Sequence, residues 1–337
     1  MASLNLLYIG NKLSAHGANT TGIEMLGPLL AQNGYVVRYA SDKKNKLSRL
    51  LDMVWKTISL RQTTDYVLID TYSTVNFWYA VAVSQLCRLF GLKYIPILHG
   101  GDLPNRLRRN PKLCRLVFSH AHVNVAPSGY LWEAFRNAGF QTLKIPNAID
   151  TAHYVFTERK KLKPKLLWVR SFSDLYNPQM AVKVLHEVKK QFPDAELCMV
   201  GPDKNGNLEK TRQLAESLGV SVEFTGKLSK ADWLKLSEAY DIFINTTHYD
   251  NMPVSVIEAM ALGIPVVSTN VGGLPFLLEH GKTALFVADN DTDEMAKCVI
   301  NLINDQEIKS KIVQNAFLLT REFDTQKVQS AWLEILR

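Results

Sequence analysis

Cysteine is scarce and scattered in this chain. The 337 residues include four cysteines, which form no CxxC pair and have no histidine beside them; they are Cys87, Cys114, Cys198 and Cys298. This spacing fits neither a zinc site nor a disulfide framework. We therefore predict buried free thiols and a reducing compartment.

A long hydrophobic run is also lacking. The run closest to a membrane-spanning length, residues 77–98, is interrupted by Gln85, Arg88 and Lys93, whereas a spanning helix needs about 20 apolar residues. The chain enters the apolar residues 4–10 without a basic leader or a small-residue cleavage site, unlike a signal peptide. We expect a soluble, cytoplasmic protein without a transmembrane helix.

Charge of either sign is not in large excess. Lys plus Arg number 39 and Asp plus Glu 32, for a net charge of +7. This mild excess permits an anionic partner without requiring nucleic acid. The aromatic residues are dispersed, so a base-stacking platform is not indicated, and we expect no nucleic-acid partner.

Several catalytic motifs are missing. The chain contains no HExxH, no Gly-x-Ser-x-Gly and no pair of aspartates at metal-binding spacing. Zinc proteases and serine hydrolases of the common types are therefore excluded. Most of its histidines stand singly, and a solvated or core position explains these better than a ligand role.

Short apolar runs alternate with longer amphipathic runs along the whole chain. This pattern predicts parallel sheets covered by helices on both faces. With 337 residues there is room for two such doubly wound α/β domains. The predicted strands are residues 4–10, 35–40, 66–70, 94–98, 122–126 and 142–146, then 166–170, 197–201, 222–226, 241–246, 265–269 and 284–287.

Residues 147–164 separate the two series of strands. The segment is polar and charged and closes on Pro164, which is typical of an interdomain linker. We predict an N-terminal domain of residues 1–155 and a C-terminal domain of residues 156–322. Ligands of such sheets bind outside the carboxyl ends of strands, so the expected site is the cleft where the two sheets face each other.

One segment concentrates polar residues just after a predicted strand. Asp250 and Glu258 bracket a loop and a helix start near Pro253, a residue suited to a first helical turn. A carboxylate can accept from two vicinal hydroxyls, as α/β folds do with ribose, and amides near Val254 and Ser255 would favour an anion. A solvated helix face is the alternative reading of two such acids.

A second loop follows the next predicted strand. Its glycines, Gly272 and Gly273, permit close approach of a ligand to the backbone, although a plain turn explains them equally well. Because both loops follow adjacent strands, together they favour a pocket for phosphate and sugar.

These motifs resemble those of retaining glycosyltransferases of family 4, which have the GT-B fold of two Rossmann-like domains facing across a cleft. The resemblance covers almost the whole chain. It rests on Asp250-x7-Glu258, Ala259-Met-Ala-x-Gly-x-Pro-Val-Val267, Val271-Gly-Gly273, His99-Gly-Gly-Asp102, Ile145-Pro-Asn-Ala-Ile-Asp150 and Leu166-Leu-Trp-Val-Arg170.

The resemblance implies a role for each matching residue. Asp250 would face the donor sugar, Arg170 would clamp the diphosphate, and His99 would lie near the anomeric side of the sugar. Glu258 would hold the ribose hydroxyls. The other implied donor-binding residues are Asn251, Met252, Val254, Ser255, Gly226, Lys227 and Leu228, and the N-terminal loop would contribute Asn19, Thr20, Thr21 and Gly22.

The resemblance also implies an activity. The chain would move a hexose-type sugar from a UDP- or GDP-sugar to a hydroxyl of a glycan or lipid-linked acceptor, in polysaccharide or glycolipid biosynthesis. The nucleotide-sugar would be a co-substrate, with no cofactor and no metal required. The N-terminal domain would bind the acceptor, the C-terminal domain the donor, and residues 323–337 would form a helix that crosses back to the N-terminal domain.

Two departures from the family pattern keep alternatives open. Asp250 stands where the family has Glu, and no lysine follows Arg170 at the family's phosphate-binding place, so Lys183 or another group would have to substitute. The alternatives are a non-catalytic GT-B subunit that binds a sugar or a partner, and another GT-B enzyme such as a nucleotide-sugar epimerase or a phosphorylase.

Basic residues cluster in the first half of the chain. A solvated surface explains such clusters, and the sharper hypothesis is docking to anionic lipid on the inner face of a membrane. The clusters are Lys43, Lys44, Lys46 and Arg49, then Arg106, Arg108, Arg109, Lys112 and Arg115.

Overall fold

A computed structural model describes residues 4–16, 21–150 and 153–337. The chain divides into two compact units, one of residues 1–149 with 323–337 and the other of residues 150–322. In the described residues each unit contains one six-stranded sheet. All strand pairs in both sheets are parallel.

The sheet of the first unit has the strand order β2-β1-β3-β4-β5-β6. Its four inner strands are almost wholly buried because helices cover both faces, as a parallel sheet requires, whereas the two edge strands are partly exposed. The strands are β1 (Asn5–Ile9), β2 (Val36–Ala40), β3 (Tyr66–Thr71), β4 (Lys93–Leu98), β5 (Asn124–Ala126) and β6 (Thr142–Lys144). The helices between them are α1 (Gly22–Gln32), α2 (Lys46–Ser59), α3 (Phe77–Phe90), α4 (Leu103–Arg109), α5 (Pro111–Phe118) and α6 (Gly129–Asn137).

The sheet of the second unit has the order β12-β11-β10-β7-β8-β9. Its strands are β7 (Lys165–Val169), β8 (Glu196–Val200), β9 (Glu223–Gly226), β10 (Ile242–Asn245), β11 (Val266–Thr269) and β12 (Leu285–Val287). Its helices are α7 (Pro178–Lys189), α8 (Asn207–Ser217), α9 (Lys230–Ser237), α10 (Val254–Ala261), α11 (Leu274–Leu277), α12 (Thr292–Asn304) and α13 (Gln306–Thr320).

The predicted fold class is confirmed. Each predicted strand has an observed counterpart, and both sheets are doubly wound. The prediction succeeded because a strand buried on both faces is a short, almost wholly apolar run, which stands out between longer amphipathic helices.

The last helix, α14 (Thr325–Ile335), belongs to the first unit. Its Trp332 is buried in the same core as Tyr8 of β1. The chain end is fastened by the hydroxyl of Tyr66, which donates to the carbonyl of Arg337 at 2.9 Å. Residues 323–337 therefore contribute to the core of the first unit.

The second half of the segment predicted as a linker is bound to the second unit. The guanidinium of Arg159 donates to the carbonyls of Tyr240, Ser237 and Leu262 and lies 3.3 Å from the carboxylate of Asp241. These bonds fasten the segment to the second unit. A charged stretch in sequence resembles a solvated linker, but here one arginine donates to three backbone carbonyls of the second unit.

The prediction of buried free thiols is confirmed for all four cysteines. Two residues of the predicted basic clusters, Arg49 and Arg106, bind groups of the protein itself and are not part of an exposed basic surface. Arg49 is 5% exposed and donates to Asn11 Oδ1 and to two backbone carbonyls, and Arg106 donates to the carbonyl of Ser73. Both guanidiniums hold loops together.

Among the helices of the described residues, none has the length and apolar character that a membrane span needs.

Candidate functional site

The chain order of the strands reverses between β7 and β10, which are hydrogen-bonded neighbours. Ligands of open α/β sheets bind outside the carboxyl ends of strands at such a switch point. Arg170 directly follows β7, and Asp250 lies in the loop after β10. The two predicted residues meet there, with Arg170 Nη2 2.9 Å from Asp250 Oδ2.

Arg170 is held from several sides. Its guanidinium lies 5.0 Å from the centre of the Tyr176 ring, and its Nε donates to Asn245 Oδ1 at 3.5 Å. The side chains of Arg170 and Asp250 are 13% and 15% exposed. Although Nη2 is ion-paired, this buried nitrogen makes no aligned hydrogen bond to any described residue. The ion pair with Asp250 and the contacts with Asn245 and Tyr176 thus hold the guanidinium at the switch point.

Helix α10 begins next to this pair. Pro253 precedes its first residue, and no described side chain caps its first turn. The initial amides of a helix favour an anion. Ser255, at the second helical position, is 8% exposed, and its buried Oγ has no hydrogen-bond partner among the described residues. The helix start therefore offers a buried hydroxyl together with free backbone amides.

The Gly272–Gly273 loop packs against the loop that carries Asp250. A Cβ on Gly273 would lie 1.9 Å from the carbonyl oxygen of Asn251, and one on Gly272 would lie 2.3 Å from that of Asp250. The amide of Gly273 donates to the Asp250 carbonyl at 2.7 Å. The close approach that these glycines permit is thus to the protein's own backbone, and it holds the Asp250 loop in position.

Glu258 lies one turn further along α10 and is 9% exposed. The hydroxyl of Tyr154 donates to its Oε1 at 2.8 Å. The ammonium of Lys230 forms an ion pair with the same oxygen and lies 4.6 Å from the centre of the Tyr154 ring. Burial, and then the charge of Glu258, raise the pKa of the Tyr154 hydroxyl. Tyr154 therefore remains a hydrogen-bond donor to a charged carboxylate.

The remaining predicted donor-binding residues lie in two loops of this unit. Asn251, Met252 and Val254 follow Asp250 towards α10, with Val254 exposed. Gly226 ends β9 with a φ of 71°, and Lys227 and Leu228 lead to α9, which starts at Lys230. Lys183 is exposed on α7.

In the first unit, His99 follows β4 and meets the end of β3. Its Nε2 lies 2.9 Å from Oδ1 of Asp70, and the Tyr8 hydroxyl donates to the same oxygen at 3.1 Å. Since a carboxylate only accepts, Nε2 carries a proton, and Nδ1 is the ring atom left for other chemistry. Burial, and then the charge of Asp70, raise the pKa of Tyr8, so its hydroxyl stays a donor.

The N-terminal loop is described in part. A Cβ on Gly22 would lie 2.7 Å from His99 Nε2, so the structure brings these two predicted residues together. Thr21 Oγ1 donates to the carbonyl of Asn11 at 2.8 Å, which gives this hydroxyl a role within the loop. Asn19 and Thr20 lie outside the described residues.

Three residues of these clusters were not among the predicted site residues: Asp70, Tyr154 and Lys230. Lys230 had one local signal, since it opens a helix just after the predicted Gly226–Leu228 loop. Nothing in the sequence links Tyr154 to Glu258, which lies 104 residues away. In the described part of the chain no three His, Cys, Asp or Glu residues are grouped as metal ligands.

Several solved structures share this fold over nearly the whole chain. The complex of Anabaena Alr3699/HepE with UDP-glucose matches with a TM-score of 0.77 at 18% identity, covering 98% of both chains. Sucrose-phosphate synthase from Thermosynechococcus elongatus matches with a TM-score of 0.78 at 16% identity, again over 98% of both chains. The two parallel-sheet α/β units are therefore consistent with the GT-B fold.

The family model "Glycosyl transferases group 1" matches residues 153–318. An uncharacterized glycosyltransferase of Haemophilus influenzae is 28% identical over 46% of this chain and 44% of its own length. The N-acetyl-alpha-D-glucosaminyl L-malate synthase of Bacillus anthracis is 26% identical over 72% of this chain and 66% of its own. The second unit is therefore similar to glycosyl transferases group 1.

The matches cover only part of the relatives. The chain spans 44% of the Haemophilus protein and 34% of a D-inositol 3-phosphate glycosyltransferase from Corynebacterium jeikeium. The predicted relationship to glycosyltransferases is confirmed. The assignment to family 4 and the retaining mechanism remain predictions.

Proposed function

We propose that this chain is a retaining glycosyltransferase of family 4 that transfers a hexose-type sugar from a nucleotide-sugar to an acceptor hydroxyl. The observation that carries the proposal is the Arg170–Asp250 ion pair beside the uncapped start of α10, where the buried Ser255 Oγ has no hydrogen-bond partner among the described residues. A buried hydroxyl that lacks a hydrogen bond calls for a partner. A diphosphate supplies several acceptor oxygens and the charge that a guanidinium and a helix start favour.

Glu258 is proposed to accept from the ribose hydroxyls of the donor. Its Oε1 accepts from Tyr154 and Lys230, and its Oε2 forms no hydrogen bond with the described residues. A second carboxylate oxygen beside a preorganised cation suits a vicinal diol. Asp250, paired with Arg170, is proposed to accept from hydroxyls of the sugar.

The reaction is proposed to proceed with retention at the anomeric carbon. The bond from that carbon to the phosphate oxygen breaks while the bond to the acceptor oxygen forms on the same face. The departing phosphate takes the acceptor's proton, so no protein nucleophile is needed. Arg170 and the α10 amides stabilise the charge that develops on the phosphate, and we propose that they do so without a metal ion or a cofactor.

The acceptor is proposed to be a hydroxyl of a glycan or a lipid-linked sugar, bound by the first unit, in polysaccharide or glycolipid biosynthesis. The His99–Asp70 pair is proposed to serve this hydroxyl. UDP-glucose is the donor to test first, because the fold relative from Anabaena was solved with that compound. GDP-sugars are the second choice.

Calorimetric titration with UDP, GDP and their hexoses tests the donor site. We expect one nucleotide to bind wild type and not Glu258→Ala, because the ribose loses its acceptor. Ser255→Ala should weaken binding by about threefold to tenfold, the value of one hydrogen bond, while the free energy of unfolding stays the same or rises slightly, since the hydroxyl is unsatisfied in the free protein.

The control is Glu238→Ala, which removes an exposed carboxylate from the same unit and should bind like wild type. Slow hydrolysis of the bound donor, lost in Glu258→Ala, would distinguish an enzyme from a binding subunit, and NMR of the transfer product would report its anomeric configuration. Equal nucleotide binding by wild type and Glu258→Ala would refute the assignment of the site.

A further inference from the structure

Helix α2 exposes an apolar stripe. Leu47, Leu51 and Trp55 are 65%, 60% and 65% exposed, and Ile58 is 38% exposed. They recur at i, i+4, i+8 and i+11, which places them along one side of the helix. Isolated exposed leucines are ordinary, but a continuous stripe of large apolar side chains is not.

The stripe does not belong to the core of the first unit. The buried residues of α2 are Arg49, Met53 and Thr57, each two positions after a stripe residue. Two positions correspond to about 200° around a helix. The helix therefore packs on the sheet through one side and presents the stripe on the opposite side.

Two further apolar side chains are exposed at the start of the neighbouring helix. The hydroxyl of Tyr79 donates to the carbonyl of Lys46 at 3.1 Å, which joins the start of α3 to the start of α2. Val75 and Trp78, at that start, are 63% and 55% exposed. With Trp55, this part of the unit exposes two tryptophans, side chains that favour the boundary between water and hydrocarbon.

Positive charge borders the stripe. Lys43, Lys44 and Lys46 are exposed at the beginning of α2, and Arg61 is exposed just after its end. Asp52 is ion-paired with Lys56 at 3.3 Å, so this acid is compensated locally. An apolar stripe with basic residues at its ends has the chemistry of a helix that lies in the plane of an anionic bilayer.

We propose that the α2 surface, comprising Leu47, Leu51, Trp55, Ile58, Val75 and Trp78, inserts into the headgroup region of an anionic membrane. At 14 residues, α2 is too short to span a bilayer and suits an interfacial position. The lysines attract the protein to acidic headgroups, and the apolar side chains hold it there. This proposal is independent of the sugar donor.

Co-sedimentation of the full chain with vesicles tests the proposal. Vesicles of phosphatidylcholine alone are compared with vesicles containing about a third phosphatidylglycerol. Wild type should bind the anionic vesicles. The double variant Leu51→Ser/Trp55→Ser should lose at least about tenfold in partitioning, because two apolar anchors are removed.

Matched control variants distinguish binding through this surface from nonspecific binding to the vesicles. Leu318→Ser makes the same change at a leucine that is 52% exposed on α13 of the other unit, and it should bind like wild type. Lys43→Glu/Lys44→Glu should reduce binding, whereas Lys210→Glu/Lys235→Glu, the same charge change at exposed lysines of the second unit, should reduce it less.

Three results would overturn the proposal. Wild type could remain in the supernatant with anionic vesicles, or the Leu51/Trp55 variant could bind as wild type does. Sedimentation velocity without vesicles could show a wild-type dimer that the variant dissociates, which would assign the stripe to a second copy of the chain. Because these assays contain no substrate, their outcome does not depend on whether the chain binds a nucleotide.

Discussion

At the residue scale, the arrangement of Asp70 and His99 is a feature that only the structure revealed. Asp70 is 4% exposed, and its Oδ1 receives both His99 Nε2 and the Tyr8 hydroxyl. The other oxygen, Oδ2, is buried without a hydrogen-bond partner among the described residues. A buried carboxylate in this position fixes the ring orientation and the tautomer of the histidine.

We predict that Asp70→Asn lowers turnover by roughly tenfold to a hundredfold and leaves nucleotide affinity nearly unchanged. An amide can donate as well as accept, so it does not fix the tautomer of the imidazole as a carboxylate does. Turnover with saturating donor, and calorimetric titration with the nucleotide, measure the two effects.

A double-mutant cycle provides the control for this prediction. If Asp70 acts through His99, then Asp70→Asn should have no further effect on turnover in the His99→Ala background. Multiplicative losses in the double variant would show that Asp70 has a role of its own, and an unchanged single variant would show that the pair is not needed for turnover.

At the scale of elements, the loop after β10 depends on the loop after β11. The carbonyl oxygens of Asp250 and Asn251 occupy the space where side chains of residues 272 and 273 would lie. The sequence showed two loops with polar residues and glycines after neighbouring strands. It did not show that one loop is the support of the other.

We predict that Gly273→Ala destabilises the protein by about 2–3 kcal/mol and weakens nucleotide binding, because the new methyl group forces the Asn251 backbone to move. Urea denaturation and titration with the nucleotide measure both effects.

Gly281→Ala is the matched control. A Cβ there meets no atom within 4 Å, although its φ is 70°, so the cost should be about 1 kcal/mol from backbone strain alone, with binding preserved. Equal effects of the two substitutions would mean that the loop contact is unimportant.

At the scale of the whole molecule, the buried thiols report on the integrity of both units. Cys87 and Cys114 lie in the first unit, and Cys198 and Cys298 lie in the second. Burial raises the pKa of Cys114 to about 11 and that of Cys87 to about 12. Burial likewise raises the pKa of Cys198 to about 12 and that of Cys298 to about 11.

We predict that the native chain reacts only slowly with a thiol reagent at pH 8. A raised pKa means that the reactive thiolate is scarce below the pKa, and burial also limits access. Spectrophotometric titration with a disulfide reagent should show fast reaction of all four thiols in denaturant alone. A thiol that reacts within seconds in the native protein would contradict the burial described here.

The sequence by itself determined the fold class, the strand positions and most of the candidate donor site. Strands buried on both faces leave continuous apolar runs, and the polar residues after them mark the carboxyl ends of parallel strands, where ligands bind. Asp250 and Glu258 were found in this way, and Arg170 was found through the resemblance of its segment to family 4 glycosyltransferases. The apolar runs and the polar residues that follow them are local features, so they are visible in the sequence.

Only the tertiary structure decided which distant residues meet. Tyr154 and Lys230 reach Glu258 across 104 and 28 residues of sequence, and Asp70 reaches His99 across 29. It also turned Arg49 inward and the apolar side of α2 outward. Such contacts depend on how helices and loops pack onto the sheet. The local sequence pattern does not predict them, because sequences with the same local pattern can pack in different ways.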